Sequence, residues 1–166
     1  MRIAVVSDIH DHIWHLEKAL EHIKGTGAEA LICCGDLCAP FSLKQMADEF
    51  DGPIHVVFGN NDGDPLLLSQ VAGQYGGRVT LHGIYAELEL GGRQIAFMHY
   101  PQPARRIAQA GVFDLVLYGH DHRWHHELVG CTLLANPGEV MGRLGISTLG
   151  IYDTESGEFQ RVEIPR

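Results

Sequence analysis

The sequence predicts an α/β protein in which two sheets pack together and are flanked by helices. In the first half, short apolar runs alternate with segments whose apolar residues recur at helical spacing. This βαβαβ order implies a parallel sheet with right-handed crossovers. The second half contains more strand-like runs, separated by glycine, asparagine and proline. With 166 residues, 45% of them apolar and 20% charged, the chain is expected to form one domain over residues 1–166.

Three strands and three helices alternate in the first half. The strands are predicted to be RIAVVS, EALICC and IHVVF, because apolar runs of this length are typical of buried strands. The helices are predicted at about residues 12–24, 43–50 and 65–74. Gly25 and Gly27 end the first helix, and Pro40 and Ser42 begin the second. Asp64 caps the third just before a proline at its first turn.

The second half is predicted to be mainly strands with one helix. Its strand-like runs are RVTL, YAELEL, RQIAFM, DLVLYG, RWHHELV, CTLLAN, STLGIYD and EFQRVEI. Gly91 and Gly92 are expected to join two of these strands as a hairpin. A helix is predicted near residues 103–110. The alternation in YAELEL indicates one solvated face, as in an antiparallel edge.

Polar side chains that can bind metals follow the ends of apolar runs throughout the chain. They are Asp8, His10, Asp36, Asn60, His99, His120 and His122. Ligands of open α/β sheets bind at strand ends, so these side chains are expected to lie close together. Their oxygen and nitrogen atoms suit borderline divalent metals such as manganese, iron, cobalt, nickel or zinc. The pattern is interpreted as a two-metal phosphoesterase site.

The spacing of these residues supports a shared site. Asp8 and His10 are two residues apart, as are His120 and His122, so each pair faces the same way from an extended strand end. Asp36 and Asn60 each follow a glycine, which permits a sharp turn and a close approach to a ligand. Asp36 is the natural bridging carboxylate, because its two oxygens can contact two ions.

The ordered motifs D-x-H, G-D, G-N-x-D, a lone histidine and G-H-x-H resemble those of the calcineurin-like metallophosphoesterase superfamily. The short length and the sequence Asn136-Pro137-Gly138 make the chain most similar to its small prokaryotic phosphodiesterases. The same branch includes the retromer scaffold subunit, which has lost catalysis. The resemblance implies a four-layer α/β/β/α sandwich of two mixed sheets flanked by helices.

The resemblance also implies roles for the metal-binding residues. The first metal would be held by Asp8, His10, Asp36 and His122, and the second by Asp36, Asn60, His99 and His120. Two divalent ions are expected, with manganese preferred and nickel, iron, cobalt or zinc as alternatives. A hydroxide between them would be the in-line nucleophile.

Catalytic roles are assigned to Asn60, Asp62 and His99. Asn60 would bind phosphoryl oxygens, and Asp62 would lie behind the site and orient its neighbours.

One position departs from the family pattern. Many members have a histidine directly after the asparagine of G-N-x-[DE], where it protonates the leaving group, and this chain has Asn61. Good leaving groups such as aryl phosphoesters are therefore expected to react best, with His12 as a substitute acid.

The net charge of −9 excludes a broad basic surface, so stable nucleic-acid binding is not expected. An anionic substrate remains compatible, because bound cations dominate the local field. The expected substrate is a small phosphoester. Arg105 and Arg106 are expected to be mainly solvated, with phosphate contact as the alternative.

No apolar run approaches the roughly 20 residues that a membrane helix needs, and no secretory signal is evident, so a cytoplasmic protein without membrane contact is expected. Three cysteines are predicted to be buried, namely Cys33, Cys34 and Cys131, and Cys38 is predicted to flank the site.

Assembly into a homo-oligomer stays open. The alternative functions are a phosphomonoesterase and a catalytically silent metal-binding scaffold for a protein partner.

Overall fold

The computed structural model describes residues 1–165. Within that range the chain forms four helices: α1 (Ile13–Thr26), α2 (Pro40–Glu49), α3 (Pro65–Gly73) and α4 (Pro101–Gln109). It also forms eleven strands: β1 (Arg2–Val6), β2 (Ala30–Cys33), β3 (Ile54–Val56), β4 (Val79–Leu81), β5 (Tyr85–Leu90), β6 (Arg93–Met98), β7 (Leu115–Leu117), β8 (Trp124–Val129), β9 (Thr132–Pro137), β10 (Thr148–Asp153) and β11 (Phe159–Glu163).

These strands form two mixed sheets. In the described chain the first sheet has the order β11-β10-β1-β2-β3-β4 and the second has the order β5-β6-β7-β9-β8. Strands β1 to β4 are parallel, as the βαβαβ pattern predicts, and β10 and β11 add to them in antiparallel pairing. In the second sheet β6, β7 and β9 are parallel, with antiparallel strands at both edges.

The central strands of the first sheet are buried on both faces, so the sheet lies between a layer of helices and the second sheet. On β1, Ala4 and Val6 pack against the helices on one side, whereas Ile3 and Val5 pack against the second sheet. Such two-sided burial explains why the parallel strands are continuous apolar runs. Helix α4 covers the outer face of the second sheet. The order of layers is helices, sheet, sheet and helix, so the predicted four-layer sandwich is confirmed.

Several local predictions are confirmed and others need correction. Gly91 and Gly92 form the turn between β5 and β6, both with positive φ. Helix α2 begins at Pro40, as expected, and α4 begins two residues earlier than predicted; each has a proline at its first turn. The predicted burial of Cys131 is wrong: it lies in the two-residue turn between β8 and β9 and is exposed. No helix within residues 1–165 is long and apolar enough to cross a bilayer.

Candidate metal centre

The predicted ligands lie at one end of the two sheets, just beyond the carboxyl ends of parallel strands. Asp8 and His10 follow β1, Asp36 follows β2 and Asn60 follows β3. The second sheet contributes the other histidines, which follow β6 and β7. The two groups are joined by a hydrogen bond from the backbone N–H of His120 to the Asp8 carboxylate, 3.0 Å long. The structure therefore brings together residues that are more than 100 positions apart.

The first cluster contains Asp8, His10 and His122. Asp8 Oδ1 lies 3.3 Å from His122 Nε2 and 3.8 Å from His10 Nε2. The two imidazoles stack with their centroids 5.0 Å apart. All three residues offer ligand atoms within 4.8 Å of one another, close enough to contact one ion.

A second cluster, formed by Asp8, Asp36 and His99, meets the same 4.8 Å criterion. Asp36 Oδ2 lies 3.4 Å from His99 Nε2 and 3.5 Å from His10 Nε2, so this carboxylate stands between the two groups of histidines. That placement is what the predicted bridging role of Asp36 requires.

Asn60 and His120 complete the set on the side of His99. The Asn60 Oδ1 atom lies 3.1 Å from His99 Nε2 and 2.9 Å from His120 Nδ1. His99 Nδ1 donates to the carbonyl of Cys34 over 2.8 Å, so in the neutral ring the Nε2 lone pair faces the cluster. Each of the predicted ligands is thus linked to another member of the set.

Unpaired buried atoms show that these residues fit a divalent cation. Asp8 Oδ1 and His10 Nε2 are buried and have no hydrogen-bond partner among the described residues. Buried polar atoms are nearly always paired, so each such exception needs an explanation. A carboxylate oxygen and an imidazole nitrogen that face the same space are donors for a divalent ion. A bound cation would satisfy both.

The charges of the cluster shift the pKa values of its members. Burial alone would raise the pKa of Asp36, but hydrogen bonds from His99 and Asn61 outweigh it and hold this pKa below its usual value. The nearby Asp8 carboxylate raises the pKa of His10 against the effect of burial. For Cys38, 3.7 Å from His10 Nδ1, burial raises the pKa to about 12. Its thiol therefore flanks the site as predicted and is a weak nucleophile at neutral pH.

Asp62 holds the turns that carry two of the ligands. Its carboxylate accepts N–H bonds from Asp36 at 2.9 Å, Cys38 at 2.8 Å and Gly59 at 2.6 Å. Asp36 and Cys38 follow β2 whereas Gly59 follows β3, so one side chain ties two strand ends together. This location behind the ligands is the one that the predicted orienting role needs.

Close packing explains the glycines that precede the ligands. A Cβ atom at Gly59 would overlap the Asp36 carboxylate, and one at Gly119 would overlap Ser7 and Asp8. At Gly35 it would lie 2.8 Å from His99 Nδ1. The expectation that these glycines permit close approach is therefore confirmed.

Backbone strain is concentrated at the predicted ligands. Within residues 1–165, eight residues other than glycine have positive φ, and five of them are Asp8, His10, Asp36, His120 and His122. Each such residue costs on the order of 1–3 kcal/mol and persists only where the surroundings impose it. Strain of this kind clusters at functional sites, so it independently marks the same location.

Two residues have contacts that the sequence did not predict. Glu139 is fully buried and accepts a hydrogen bond from His122 Nδ1 at 2.7 Å. Asn61, expected only as a missing acid, donates from its side chain to Asp36 Oδ2 at 2.8 Å. Asn61 directly follows the predicted ligand Asn60 in the motif G-N-x-D, so the sequence did hint at a contact with the site. Glu139 gives no spacing signal, because only the fold brings it to His122.

A cavity of about 590 Å³ is lined by residues that neighbour the predicted ligands in the sequence. Asp121, between His120 and His122, lines it, as do Arg105, Arg123 and Trp124. Arg105 and Arg106 are exposed, as expected, and Arg105 also pairs with Glu127. The cavity thus offers guanidinium groups and an aromatic ring.

Comparison with known proteins agrees with this geometry. The model of the calcineurin-like phosphoesterase superfamily domain matches residues 1–157. The chain belongs to the calcineurin-like phosphoesterase superfamily. The resemblance inferred from the motifs is therefore confirmed, and it extends over nearly the whole chain.

Individual known proteins are similar to this chain over nearly their full lengths. Phosphodiesterase MJ0936 of Methanocaldococcus jannaschii is 32% identical over 164 residues, which cover 98% of each chain. A solved structure of a novel archaeal phosphodiesterase has a TM-score of 0.91 at 32% identity, over 98% of this chain and 99% of that one. Vps29 of Entamoeba histolytica, solved with zinc, has a TM-score of 0.69 at 17% identity, covering 99% and 100% of the two chains. This last likeness shows the fold alone.

Proposed function

We propose that this protein is a divalent-metal-dependent phosphodiesterase that hydrolyses small phosphoesters. The observation that carries the proposal is the convergence of two aspartates and three histidines around buried, unpaired ligand atoms. A phosphodiesterase that is 32% identical over nearly the full chain supports the same conclusion.

The proposed ligands of the first metal are Asp8, His10, Asp36 and His122, and those of the second are Asp36, Asn60, His99 and His120. Manganese is the proposed metal, with nickel, iron, cobalt or zinc as alternatives. Bound divalent ions lower the pKa of water toward neutrality and neutralise charge on phosphoryl oxygens. The short distances from Asp36 Oδ2 to both His10 and His99 support its assignment as the shared ligand.

The protein's own groups would orient the reacting phosphoester. The proposed role of Asn60 is to place its amide beside the phosphoryl oxygens, where the charge that grows in the transition state can be stabilised. Its Oδ1 atom lies close to His99 Nε2 and His120 Nδ1, the nitrogen atoms of the other two residues on its side of the site. Asp62 keeps the turns after β2 and β3 in place. We expect direct displacement without a covalent enzyme intermediate, in agreement with the protonated state of the Cys38 thiol.

The cavity lined by Asp121 and Trp124 supports a diester substrate. A phosphodiester has a second organic substituent that needs space beside the reacting phosphorus. The cavity of about 590 Å³ next to Asp121 is large enough for such a group, and Trp124 offers an apolar surface to it. Matched aryl monoesters and diesters test this point: a diester preference in kcat/KM is expected, and a monoester preference would assign the protein as a phosphomonoesterase.

A second candidate function is a metal-binding scaffold without turnover. Exposed apolar side chains at the starts of α1 and α2 favour it: Trp14 is 66% exposed and Phe41 53% exposed. These side chains would contact a protein partner. Absence of turnover with every divalent metal, together with retained metal binding, would favour the scaffold over the enzyme.

We also propose a cytoplasmic location, supported by cysteines that are free thiols in the described chain, including the adjacent buried pair Cys33 and Cys34. A homo-oligomer stays a prediction, and light scattering of the purified protein measures it.

The decisive experiment is an activity panel after chelation. The protein is stripped of metal and assayed with an aryl phosphodiester after addition of manganese, nickel, cobalt, zinc, iron or magnesium. We expect no activity in the stripped protein and recovery with at least one transition metal. Full activity in the stripped protein would refute metal dependence.

A further inference from the structure

Glu139 has a position that the proposed reaction does not yet use. It lies directly after Asn136-Pro137-Gly138 and is fully buried. One carboxylate oxygen, Oε2, accepts the hydrogen bond from His122 Nδ1 over 2.7 Å. The other oxygen, Oε1, accepts from the backbone N–H groups of Leu144 and Gly145 over 2.7 and 2.6 Å. A single side chain thus connects a candidate metal ligand to a surface loop.

The loop, residues 141–147, is tied to the first cluster at a second point. The N–H of Met141 donates to the carbonyl of Asp8 over 3.1 Å, and its own carbonyl accepts from His15 Nδ1 over 2.8 Å. Its tip is exposed, with Leu144 at 72% and Ile146 at 55% exposure. Three backbone N–H groups of the loop are therefore bonded to Asp8 or to Glu139, whereas Ser147 is bonded to Ile164 and Val140.

We infer that Glu139 is a positioning residue that orients His122 for metal binding and couples the order of the 141–147 loop to occupancy of the first metal position. The inference rests on the proposed function. A carboxylate accepts but does not donate, so it fixes the proton of His122 on Nδ1 and leaves the Nε2 lone pair directed toward Asp8 Oδ1, 3.3 Å away. Binding of a metal at Nε2 holds His122, and through Glu139 it also holds the N–H groups of Leu144 and Gly145.

The substitution Glu139→Gln separates the orientation of His122 from the hydrogen bonds to the loop. The amide oxygen of the variant can still accept from the two loop N–H groups, whereas its NH₂ group faces His122 Nδ1 and donates to it. The proton of His122 then moves to Nε2, where it blocks the ligand position. We expect metal affinity to fall by about 10–100-fold, the range typical of lost outer contacts to a metal-binding histidine. Glu139→Ala removes the contact with His122 and the hydrogen bonds to the loop. It is therefore expected to weaken metal binding and also to speed hydrogen exchange at Leu144 and Gly145.

The experiment measures manganese dissociation constants by calorimetry and amide exchange by mass spectrometry, with and without manganese, without any assay of activity. The control is Glu155→Gln, at the opposite end of the first sheet, which is expected to match the wild type in both. Manganese is expected to slow exchange at Leu144 and Gly145 in the wild type. The inference would be overturned if the dissociation constant were unchanged in Glu139→Gln. It would also be overturned if manganese left the exchange rates of Leu144 and Gly145 in the wild type unchanged. A wild type that binds no metal would instead refute the proposed function.

A measurement on the wild type covers the case in which the variants do not fold. The ¹⁵N chemical shifts of the metal-free protein above pH 8 report which nitrogen of His122 carries the proton. The inference predicts the Nδ1-protonated form, and a dominant Nε2-protonated form would contradict it.

Discussion

At the scale of single residues, the candidate site depends most on Asp36. Its carboxylate stands 3.4–3.5 Å from His10 and His99 and accepts two hydrogen bonds from Asn61. The sequence identified this residue because it is the aspartate of G-D in the ordered motifs D-x-H, G-D, G-N-x-D and G-H-x-H. The sequence could not predict Glu139 in the same way, since its contact with His122 depends on how the turn after β9 folds.

Asp36→Asn is expected to lower manganese binding at both positions and to reduce kcat/KM by at least about 10²-fold, the cost of removing one major stabilising group. The amide keeps the size of the side chain but loses its charge and one acceptor oxygen. Calorimetry and diesterase assays measure both effects, with exposed Asp51→Asn as the control. Near-full activity with normal metal content would refute the bridging role.

Asn61 is expected to make the rate depend steeply on the leaving group. Its side chain has no proton to give near neutral pH, and its amide is engaged with Asp36. A series of aryl diesters of increasing phenol pKa should show falling kcat/KM. The variant N61H should raise the rate for the poorest leaving groups, by up to the roughly 10²–10⁴-fold that a general acid contributes. A flat response in the unaltered protein would show that another group already protonates the leaving oxygen.

His55 and His82 are expected to make the fold less stable in acid. Their rings share a 3.1 Å hydrogen bond, and burial lowers the pKa of His55 to about 4, with His82 adding to the effect. The unfolded chain binds a proton near pH 6.5 and the folded chain does not. Stability is therefore lost as pH falls from about 6.5 to 4, by on the order of 2 kcal/mol for His55.

Urea unfolding in chelator at pH 7.5 and pH 5 measures this loss in the wild type and in H55Q. The variant cannot titrate at this position, so its stability should fall less between the two pH values. Equal losses in both proteins would show that the pair does not contribute.

At the scale of elements, the site is built by the turns that follow parallel strands. Apolar runs predicted β1, β2 and β3 because these strands are buried on both faces, and their ends located the ligands. The left-handed backbone of residues such as Asp8 and Asp36 could not be predicted, since those residue types favour it only where the surroundings impose it. Cys131 was misplaced for a related reason, because an apolar run does not show where a strand gives way to a turn.

The turn after β3 offers a matched pair of glycines. A Cβ at Gly59 would overlap the Asp36 carboxylate, whereas one at Gly63 would meet nothing within 4 Å. Gly59→Ala is expected to displace Asp36 and weaken manganese binding by at least about 10-fold, by analogy with lost outer contacts of a metal site. Gly63→Ala should bind manganese as the wild type does. Equal affinities in the two variants, measured by calorimetry, would show that the close packing at Gly59 is not needed.

At the scale of the whole molecule, the two sheets share one apolar layer. Ile3 and Val5 of the first sheet and Phe97 and Leu117 of the second belong to the same buried cluster. The sequence predicted two packed sheets, because the second half is rich in short strands. It did not predict that β10 and β11 return to the first sheet, since pairing between distant strands leaves no local pattern.

This shared layer predicts a single unfolding transition for the chain, as proposed for one domain. Thermal melts of the metal-free protein followed by far-ultraviolet circular dichroism and by tryptophan fluorescence should coincide. The signals come from both sheets and from Trp14 and Trp124, which lie in different halves of the sequence. Two separated transitions would show that the sheets unfold independently.

Anomalous X-ray diffraction from crystals grown with manganese would locate the metals. We expect two anomalous peaks, one among Asp8, His10 and His122 and the other among Asn60, His99 and His120, with the Asp36 carboxylate in contact with both. Crystals that contain manganese but show no peak within reach of Asp36 would contradict this arrangement.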